Sequence, residues 1–207
     1  MNRPNVQYGC GLSAPDGWLN FDASPTLRLQ RLPGIGAILT RGRARFPARV
    51  RYGDVVRGLP LGDRSCGAVY CSHVLEHLSL ADLRIALRET YRILADGGTF
   101  RGVLPDMELL ARRYVENPRE DAAIAFMQDT LLGVRERQRG LAALTSGVLG
   151  NSHHLWMWDF KALSVELIAA GFRNIRRAEF GDSVLAQFAA AEEKTRWDNC
   201  LGFECRK

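Results

Sequence analysis

The chain has 207 residues, of which 46% are hydrophobic and 25% charged, a balance typical of a soluble globular protein with one domain. No apolar run approaches the roughly 20 residues that a membrane helix needs, and the first residues, MNRPNVQYGCG, contain no apolar signal core. We therefore expect a cytoplasmic protein without a membrane partner.

The net charge is +5, from 28 basic and 23 acidic side chains, and arginines are dense between residues 27 and 54. A basic stretch can attract an anionic small molecule, a glycan phosphate or a nucleic acid. The stretch lacks the interleaved aromatic residues of a surface that binds single strands. We interpret it mainly as a solvated basic face.

The chain has five cysteines, an odd number, and none of them forms a CxxC pair. This usage fits reduced thiols better than a disulfide framework or a zinc site. The cysteines are Cys10, Cys66, Cys71, Cys200 and Cys205.

Short apolar runs alternate with helical patterns along most of the chain. Helical spacing predicts a helix over 81–94, stopped by Asp96-Gly97-Gly98, and another over 160–172, closed by Gly171. This alternation predicts an α/β fold, a parallel sheet with helices on both faces. The apolar runs predict strands at 6–8, 18–21, 49–52, 68–72, 99–104, 174–179 and 201–205.

Residues 107–150 interrupt this alternation with two or three helical patterns, at 107–118 and across 122–149. A helical insertion after the fifth strand would lie above the carboxyl ends of the strands, where ligands bind in such sheets. We predict one domain over 1–207, with residues 107–158 as a helical cap or insertion.

The stretch YGCGLSAPDGWLNFDAS, residues 8–24, joins two predicted strands by a glycine turn and ends the second strand on Asp22. Glycine lets the backbone approach a ligand, and a carboxylate there can accept hydrogen bonds from ribose hydroxyls. Asp22 follows Gly11 by 22 − 11 = 11 positions instead of about 20. Pro15 and Gly17 prevent a helix between them. The spacing argues against NAD or FAD and permits a cofactor with ribose and adenine but no phosphate.

A second carboxylate, Asp54, follows the third predicted strand. It could accept a hydrogen bond from an adenine amine, with the backbone amide of Val55 donating to a ring nitrogen. The alternative is an ordinary turn or capping aspartate.

Six motifs in order resemble the class I S-adenosylmethionine-dependent methyltransferases, in particular the type 11 group, over about residues 5–106. The resemblance implies a Rossmann-like class I methyltransferase fold, with a mostly parallel seven-stranded sheet and a helical insertion after strand 5. It also implies S-adenosyl-L-methionine as cofactor. The motifs are Gly9-Cys10-Gly11, Gly17 to Asp22, Gly53-Asp54, Ser72 to Leu78, Leu94 to Gly98 and Pro105-Asp106.

The resemblance also implies the cofactor-binding residues. The methionine part of the cofactor would lie against Gly9, Cys10 and Gly11. Asp22 would hold the ribose, and Asp54 with Val55 would hold the adenine. Ser72 and His73 would face the sulfonium and the incoming nucleophile.

The histidines offer a metal site or a catalytic base. His73 and His77 are four residues apart with Glu76 between them, but we expect His73 in a turn, away from the face of His77, and so no metal site.

A base near neutral pH is most naturally a histidine. Our candidates are His73, then His153 or His154, then Asp106. His73 could instead be a turn residue that hydrogen-bonds backbone, and residues 153–159 a loop that packs its tryptophans on the core.

The function that follows is methyl transfer to an oxygen or nitrogen of a small molecule or a glycan-type acceptor. One alternative is a protein that binds S-adenosylmethionine or S-adenosylhomocysteine without turnover. A nucleic-acid methyltransferase is disfavoured, because the sequence has no Asn-Pro-Pro-Tyr-type motif and no appended RNA-binding module. The acceptor and the oligomeric state stay open, with a homodimer as one option.

Overall fold

The computed structural model describes residues 3–136 and 153–207. Each predicted strand is present there, with its ends moved by a few residues. The strands are β1 (Asn5–Tyr8), β2 (Trp18–Asp22), β3 (Arg51–Tyr52), β4 (Cys66–Ser72), β5 (Leu94–Pro105), β6 (Arg173–Ala178) and β7 (Cys200–Arg206). The helices are α1 (Pro25–Gln30), α2 (Gly36–Leu39), α3 (Leu80–Ile93), α4 (Met107–Glu116), α5 (Ala122–Asp129) and α6 (Phe160–Ala169).

The strands form one seven-stranded sheet in the order β3-β2-β1-β4-β5-β7-β6. Strands β1 to β5 pair in parallel, and β7 lies antiparallel between β5 and β6. Strand order reverses at β1, which pairs with both β2 and β4. A crevice therefore opens between the carboxyl ends of β1 and β4. The expected Rossmann-like fold with a mostly parallel seven-stranded sheet is confirmed.

One face of the sheet packs against α3 and α6. Val6 and Val69 of the sheet, Leu87 of α3 and Leu163 of α6 are completely buried in one cluster. The helical spacing of apolar residues in α3 predicted this burial, and the Ser79 side chain accepts from the Asp82 N–H to cap the helix. This layer fixes β1 and β4 beneath the crevice.

The other face of the sheet packs against the segment 185–197, which contains 3-10 helices at Ala186–Ala190 and Lys194–Arg196. Phe188 and Trp197 of this segment cover Trp18 and Tyr70 of the sheet. The segment continues to the edge of the crevice, so it contributes side chains to the site.

The described part of the insertion after β5 contains two helices, α4 and α5. Helix α5 ends at Asp129, because Leu131 adopts a φ of +52° and the Gly133 N–H donates to the Met127 carbonyl at 2.9 Å. The predicted helical pattern over 137–149 lies outside the described residues. The role of 107–158 as a cap stays a prediction.

Several arginines of the basic stretch hold its own loop together. The Arg31 side chain donates to the carbonyls of Pro47, Ala48 and Val50, and Arg43 donates to the Thr26 hydroxyl. Part of the basic charge therefore serves the local fold.

Among the helices of the described residues, none combines the length and apolar character that crossing a membrane requires.

Candidate active site

A cleft of about 390 Å³ opens at the carboxyl ends of β1 and β4. Four residues expected at the cofactor line it, Gly9, Cys10, Gly11 and Ser72. Its size lies within the range of about 300–1,000 Å³ usual for ligand sites. We call it the glycine cleft; its other lining residues are Gln7, Leu12, Ser13, Ala191, Glu193 and Arg196.

The turn after β1 depends on two glycines with left-handed backbone. Gly9 has a φ of +61°, and a Cβ there would lie 2.2 Å from Cγ2 of Val74. Gly11 has a φ of +55°, but a Cβ there would have no described atom within 4 Å. Residues 9–17, all described, contain no helix, as predicted. At Gly9 both the left-handed backbone and the contact with Val74 require a glycine, whereas at Gly11 only the left-handed backbone does.

Asp22 supports this turn from behind. Its Oδ2 accepts from the Gly11 N–H at 2.8 Å, and its Oδ1 accepts from the Ser24 N–H at 2.7 Å. The residue is buried and does not line the glycine cleft. A carboxylate has about four acceptor positions, so lone pairs remain. A ribose contact stays a prediction.

Asp54 has the features of a turn-capping residue. Its Oδ1 accepts from the Val56 N–H at 2.9 Å, and its Oδ2 lies 3.4 Å from the Arg57 guanidinium. Val55 is buried, and neither Asp54 nor Val55 lines the glycine cleft. The Gly53 N–H donates to the Asp22 carbonyl at 3.1 Å, so both aspartates lie at the same edge of the sheet.

Cys10 lines the cleft as a neutral thiol. Burial and the nearby Asp22 carboxylate raise the pKa of Cys10 to about 12. None of the five cysteines, all within the described ranges, forms a disulfide. Cys10 therefore fits the expectation of a reduced thiol.

His73 follows β4 in a turn, as predicted, with a φ of +54°. Its Nε2 lies 2.9 Å from the Arg196 carbonyl, and its Nδ1 lies 3.2 Å from Oε1 of Glu76. Burial lowers the pKa of His73, but contacts with Cys200, Glu76 and the Arg196 carbonyl outweigh burial and raise it to about 10. The ring is therefore charged near neutral pH, with a proton on each nitrogen.

A second cavity of about 550 Å³ adjoins the glycine cleft and shares Arg196 with it. It brings together His73 and His154, two of the catalytic candidates. We call it the histidine cavity; its lining residues are His73, Glu76, His77, Leu131, His154, Thr195 and Arg196.

His154 is buried at this cavity and held by backbone. Its ring atom Nδ1 lies 2.8 Å from the Thr130 carbonyl, and its backbone N–H donates to the Leu131 carbonyl. Burial lowers the pKa of His154, although the Glu76 carboxylate opposes this effect. Its ring is therefore neutral near neutral pH.

The other two catalytic candidates lie outside the histidine cavity. Asp106 caps α4 by accepting from the Glu108 N–H at 2.9 Å, and it pairs with Arg177 at 3.2 Å. His153 contributes its carbonyl to His77 and directs its own Nδ1 to the Leu131 carbonyl at 3.3 Å. The loop that contains it packs Trp158 into the core, which was the alternative interpretation.

The sequence reasoning missed the residue that separates the two cavities. Arg196 donates from Nε to the Ser72 hydroxyl at 2.7 Å and from Nη2 to the Ser72 carbonyl at 3.2 Å. Nothing near Arg196 in the sequence signals this role, because its partner lies 124 residues earlier. It also missed Gln7 and Glu193 of the glycine cleft.

Residues 8–101 match the sequence model of the family described as a methyltransferase domain. A structure of a S-adenosylmethionine-dependent methyltransferase from Thermotoga maritima, described as a possible histamine N-methyltransferase, has a TM-score of 0.54 and 16% identity. The match covers 100% of this chain and 83% of that one. PigF with S-adenosylhomocysteine has a TM-score of 0.50 and 15% identity, over 99% of this chain and 50% of that one. No curated protein matches the chain.

At these identities the solved structures show the fold alone. The family match over residues 8–101 and the ordered motifs support a class I S-adenosylmethionine-dependent methyltransferase of the type 11 group. The cofactor of this class is S-adenosyl-L-methionine.

Proposed function

We propose that the protein transfers a methyl group from S-adenosylmethionine to an oxygen or nitrogen of a small molecule or a glycan-type acceptor. The observation that supports this most is the pair of adjacent cavities on either side of Arg196. The glycine cleft would hold the cofactor, and the histidine cavity would hold the acceptor.

The glycine cleft offers groups that suit the amino-acid end of the cofactor. Gln7 is buried, and its Oε1 has no hydrogen-bond partner among the described residues. Together with the Glu193 carboxylate it can accept from an ammonium group, and the Arg196 guanidinium can donate to a carboxylate. We infer that the methionine part lies here, against Gly9, Cys10 and Gly11.

The remaining cofactor contacts follow the edge of the sheet. The carboxyl ends of β1, β2 and β3 are adjacent in the sheet. Asp22 is the last residue of β2, and Asp54 follows the end of β3. We infer that Asp22 holds the ribose, and Asp54 with Val55 the adenine. The bound cofactor supplies a methyl carbon that its sulfonium charge already activates.

The chain's own residues would orient the acceptor and hold its proton. Ser72 and His73 lie between the two cavities, and Arg196 fixes the hydroxyl of Ser72. We assign His73 a positioning role, because both of its nitrogens already face acceptors. We propose that His154 accepts the hydrogen of the acceptor's nucleophilic group. Its Nδ1–H donates to the Thr130 carbonyl, so the lone pair of the neutral ring is on Nε2.

The lining of the histidine cavity favours a polar acceptor. Imidazole, carboxylate, hydroxyl and guanidinium groups dominate it, with Leu131 as its apolar member. Such a wall suits a metabolite or a sugar with several hydrogen-bonding groups. A nucleic-acid acceptor is less favoured, because several arginines of the basic stretch bind their own loop.

The test incubates the protein with S-adenosylmethionine and panels of polar metabolites and glycans, and measures release of S-adenosylhomocysteine. We expect turnover with one class of oxygen or nitrogen nucleophile. The His154→Ala variant should lower kcat while the dissociation constant of the cofactor stays unchanged. The control is Arg84→Ala, which removes an exposed pair with Glu166 far from the site.

Cofactor binding without turnover on every panel would contradict the proposal and support a binding protein. Turnover on RNA with steep salt dependence would instead support a nucleic-acid methyltransferase.

A further inference from the structure

Three side chains in the histidine cavity carry ligand atoms that lie within 4.8 Å of one another. They are Glu76 and His77 of the 3-10 helix Leu75–His77, and His154 from the far side of the insertion. The two imidazole rings are 4.9 Å apart between centroids, at 72°. All three side chains face the same cavity.

Backbone carbonyls determine which nitrogen of each ring is free to bind. Nδ1 of His77 lies 3.1 Å from the His153 carbonyl, and Nδ1 of His154 lies 2.8 Å from the Thr130 carbonyl. A carbonyl only accepts, so each Nδ1 carries a proton and Nε2 is the nitrogen through which each ring would bind a metal. Metal-binding histidines are oriented in this way by their outer partners.

The carboxylate of Glu76 is fully buried and incompletely satisfied. Neither oxygen has a hydrogen bond within the described part of the chain. Oε1 lies 3.2 Å from Nδ1 of His73, an ion contact without hydrogen-bond geometry. Burying a charge this way is costly unless a cation or donors compensate it. The charged His73 ring supplies one counter-charge at Oε1, whereas Oε2 has no partner among the described residues and can bind a further cation.

The backbone holds the two ligand segments together. The Glu76 carbonyl accepts from the Leu155 N–H at 2.8 Å and from the Trp156 N–H at 3.2 Å. These bonds place His154 directly opposite Glu76 and His77. The approach of the three side chains therefore follows from the fold and not from chance rotamers.

We propose that Glu76, His77 and His154 bind a divalent transition-metal cation of the zinc type. Two imidazoles and one carboxylate suit such an ion, whereas magnesium and calcium prefer oxygen ligands. Bonds of about 2.1 Å require the ligand atoms to move about an ångström closer, which side-chain rotation allows.

Three protein ligands leave a coordination position open, as in catalytic metal sites. That position would face the histidine cavity, since all three ligands line it. The evidence for the metal site is the ligand geometry, and not the proposed acceptor. With the ion bound, Nε2 of His154 would coordinate it and could not also contact the acceptor's hydrogen, so the two roles of His154 belong to the metal-bound and the metal-free protein.

The test uses the full chain after removal of metals by a chelator. Co²⁺ is titrated with visible absorption as the readout, and Zn²⁺ with calorimetry. We expect one ion per chain, and at least about tenfold weaker binding in Glu76→Gln and in His154→Ala. The His153→Ala variant is the control, since it removes an imidazole next to His154 but outside the cluster. Circular dichroism establishes that each variant is folded.

A further variant, His73→Gln, separates metal binding from the ion contact with His73. The proposal predicts that it still binds one ion. Absence of stoichiometric binding in the unmodified protein would overturn the proposal. Affinities in Glu76→Gln and in His154→Ala equal to that of the unmodified protein would also overturn it. Because binding is measured without methyl transfer, an inactive protein that binds the ion refutes the proposed function only.

Discussion

Gly9 and Gly11 occupy the same turn with the same sign of φ, yet their surroundings differ. A methyl group at Gly9 meets Val74, whereas one at Gly11 meets open space. We predict that Gly9→Ala costs about 2–4 kcal/mol in the free energy of unfolding, from left-handed strain plus overpacking. Gly11→Ala should cost only the strain, about 1–2 kcal/mol. Urea unfolding measures both, and equal losses would show that Val74 can move aside.

The same pair of variants separates stability from binding. Gly11 lines the glycine cleft, so an added methyl would enter the space that we assign to the cofactor. We predict that folded Gly11→Ala binds S-adenosylmethionine more weakly than the unmodified protein. Calorimetry measures the affinity, and an unchanged dissociation constant would place the cofactor away from this residue.

Among single residues, those defined by a local motif could be predicted from sequence. Gly9, Gly11 and Asp22 lie at the ends of two consecutive strands, and a hydrogen bond joins Gly11 to Asp22. Arg196 was missed, since its partner Ser72 lies 124 residues earlier in the chain. His154 was a candidate, but its position beside Glu76 and His77 follows only from the fold.

At the scale of elements, the segment 179–204 is held to the sheet by Arg101 of β5. This side chain is fully buried and contacts the carboxylates of Asp182, Glu192 and Glu204. It also lies 4.6 Å from the centroid of the Trp197 ring. Because this segment reaches the glycine cleft, the cluster connects sheet stability to the site.

We predict that Arg101→Ala destabilises the protein by about 3–5 kcal/mol, because the buried Glu192 side chain would lose its counter-charge and Glu204 would keep only its pair with Arg176. The control Arg84→Ala removes an exposed pair and should have a much smaller effect. Chemical denaturation compares the two variants. Similar losses in both would contradict a structural role for the buried cluster.

Asp182 should make this segment sensitive to acid. Burial opposes its ionisation, but Arg176 and Arg101 outweigh burial and lower the pKa of Asp182 from 3.8 to about 2. A pKa lowered by folding adds stability above the unfolded value, and this stability is lost as the pH falls from about 4 towards 2. We predict that Asp182→Asn loses less stability than the unmodified protein over this window. Denaturant unfolding at successive pH values measures this loss. The same pH dependence of the free energy of unfolding in both proteins would contradict the prediction.

Elements were predictable where local pattern and packing agree. The α3 helix was predicted within a residue at each end, since its apolar face is continuous over these residues. The glycines expected to cap it lie inside β5 instead, because the chain turns into the strand at Leu94. The pattern over 122–149 predicted one helix or two, and it could not place the end of α5 at Asp129, because the sequence does not show that Leu131 takes a left-handed conformation. The Leu131 carbonyl there accepts from the backbone N–H of His154 at 3.2 Å.

At the scale of the whole molecule, the alternation of elements was enough to predict a parallel sheet, and the ordered motifs indicated its class. What the sequence could not show is which segment covers the second face. Residues 185–197 are positioned by long-range contacts, among them the Arg101 side chain stacked over the Trp197 ring. Contacts of this kind leave no local pattern in the sequence.

The most direct test of the central claim is calorimetric titration of the protein with S-adenosylmethionine and with S-adenosylhomocysteine, beside Asp22→Ala and Asp54→Ala. Both variants are first shown to be folded, because Asp22 also braces the Gly11 turn. We predict micromolar binding to the unmodified protein and its loss in both variants. Absence of binding to either compound would contradict the account and leave a methyltransferase fold without its cofactor.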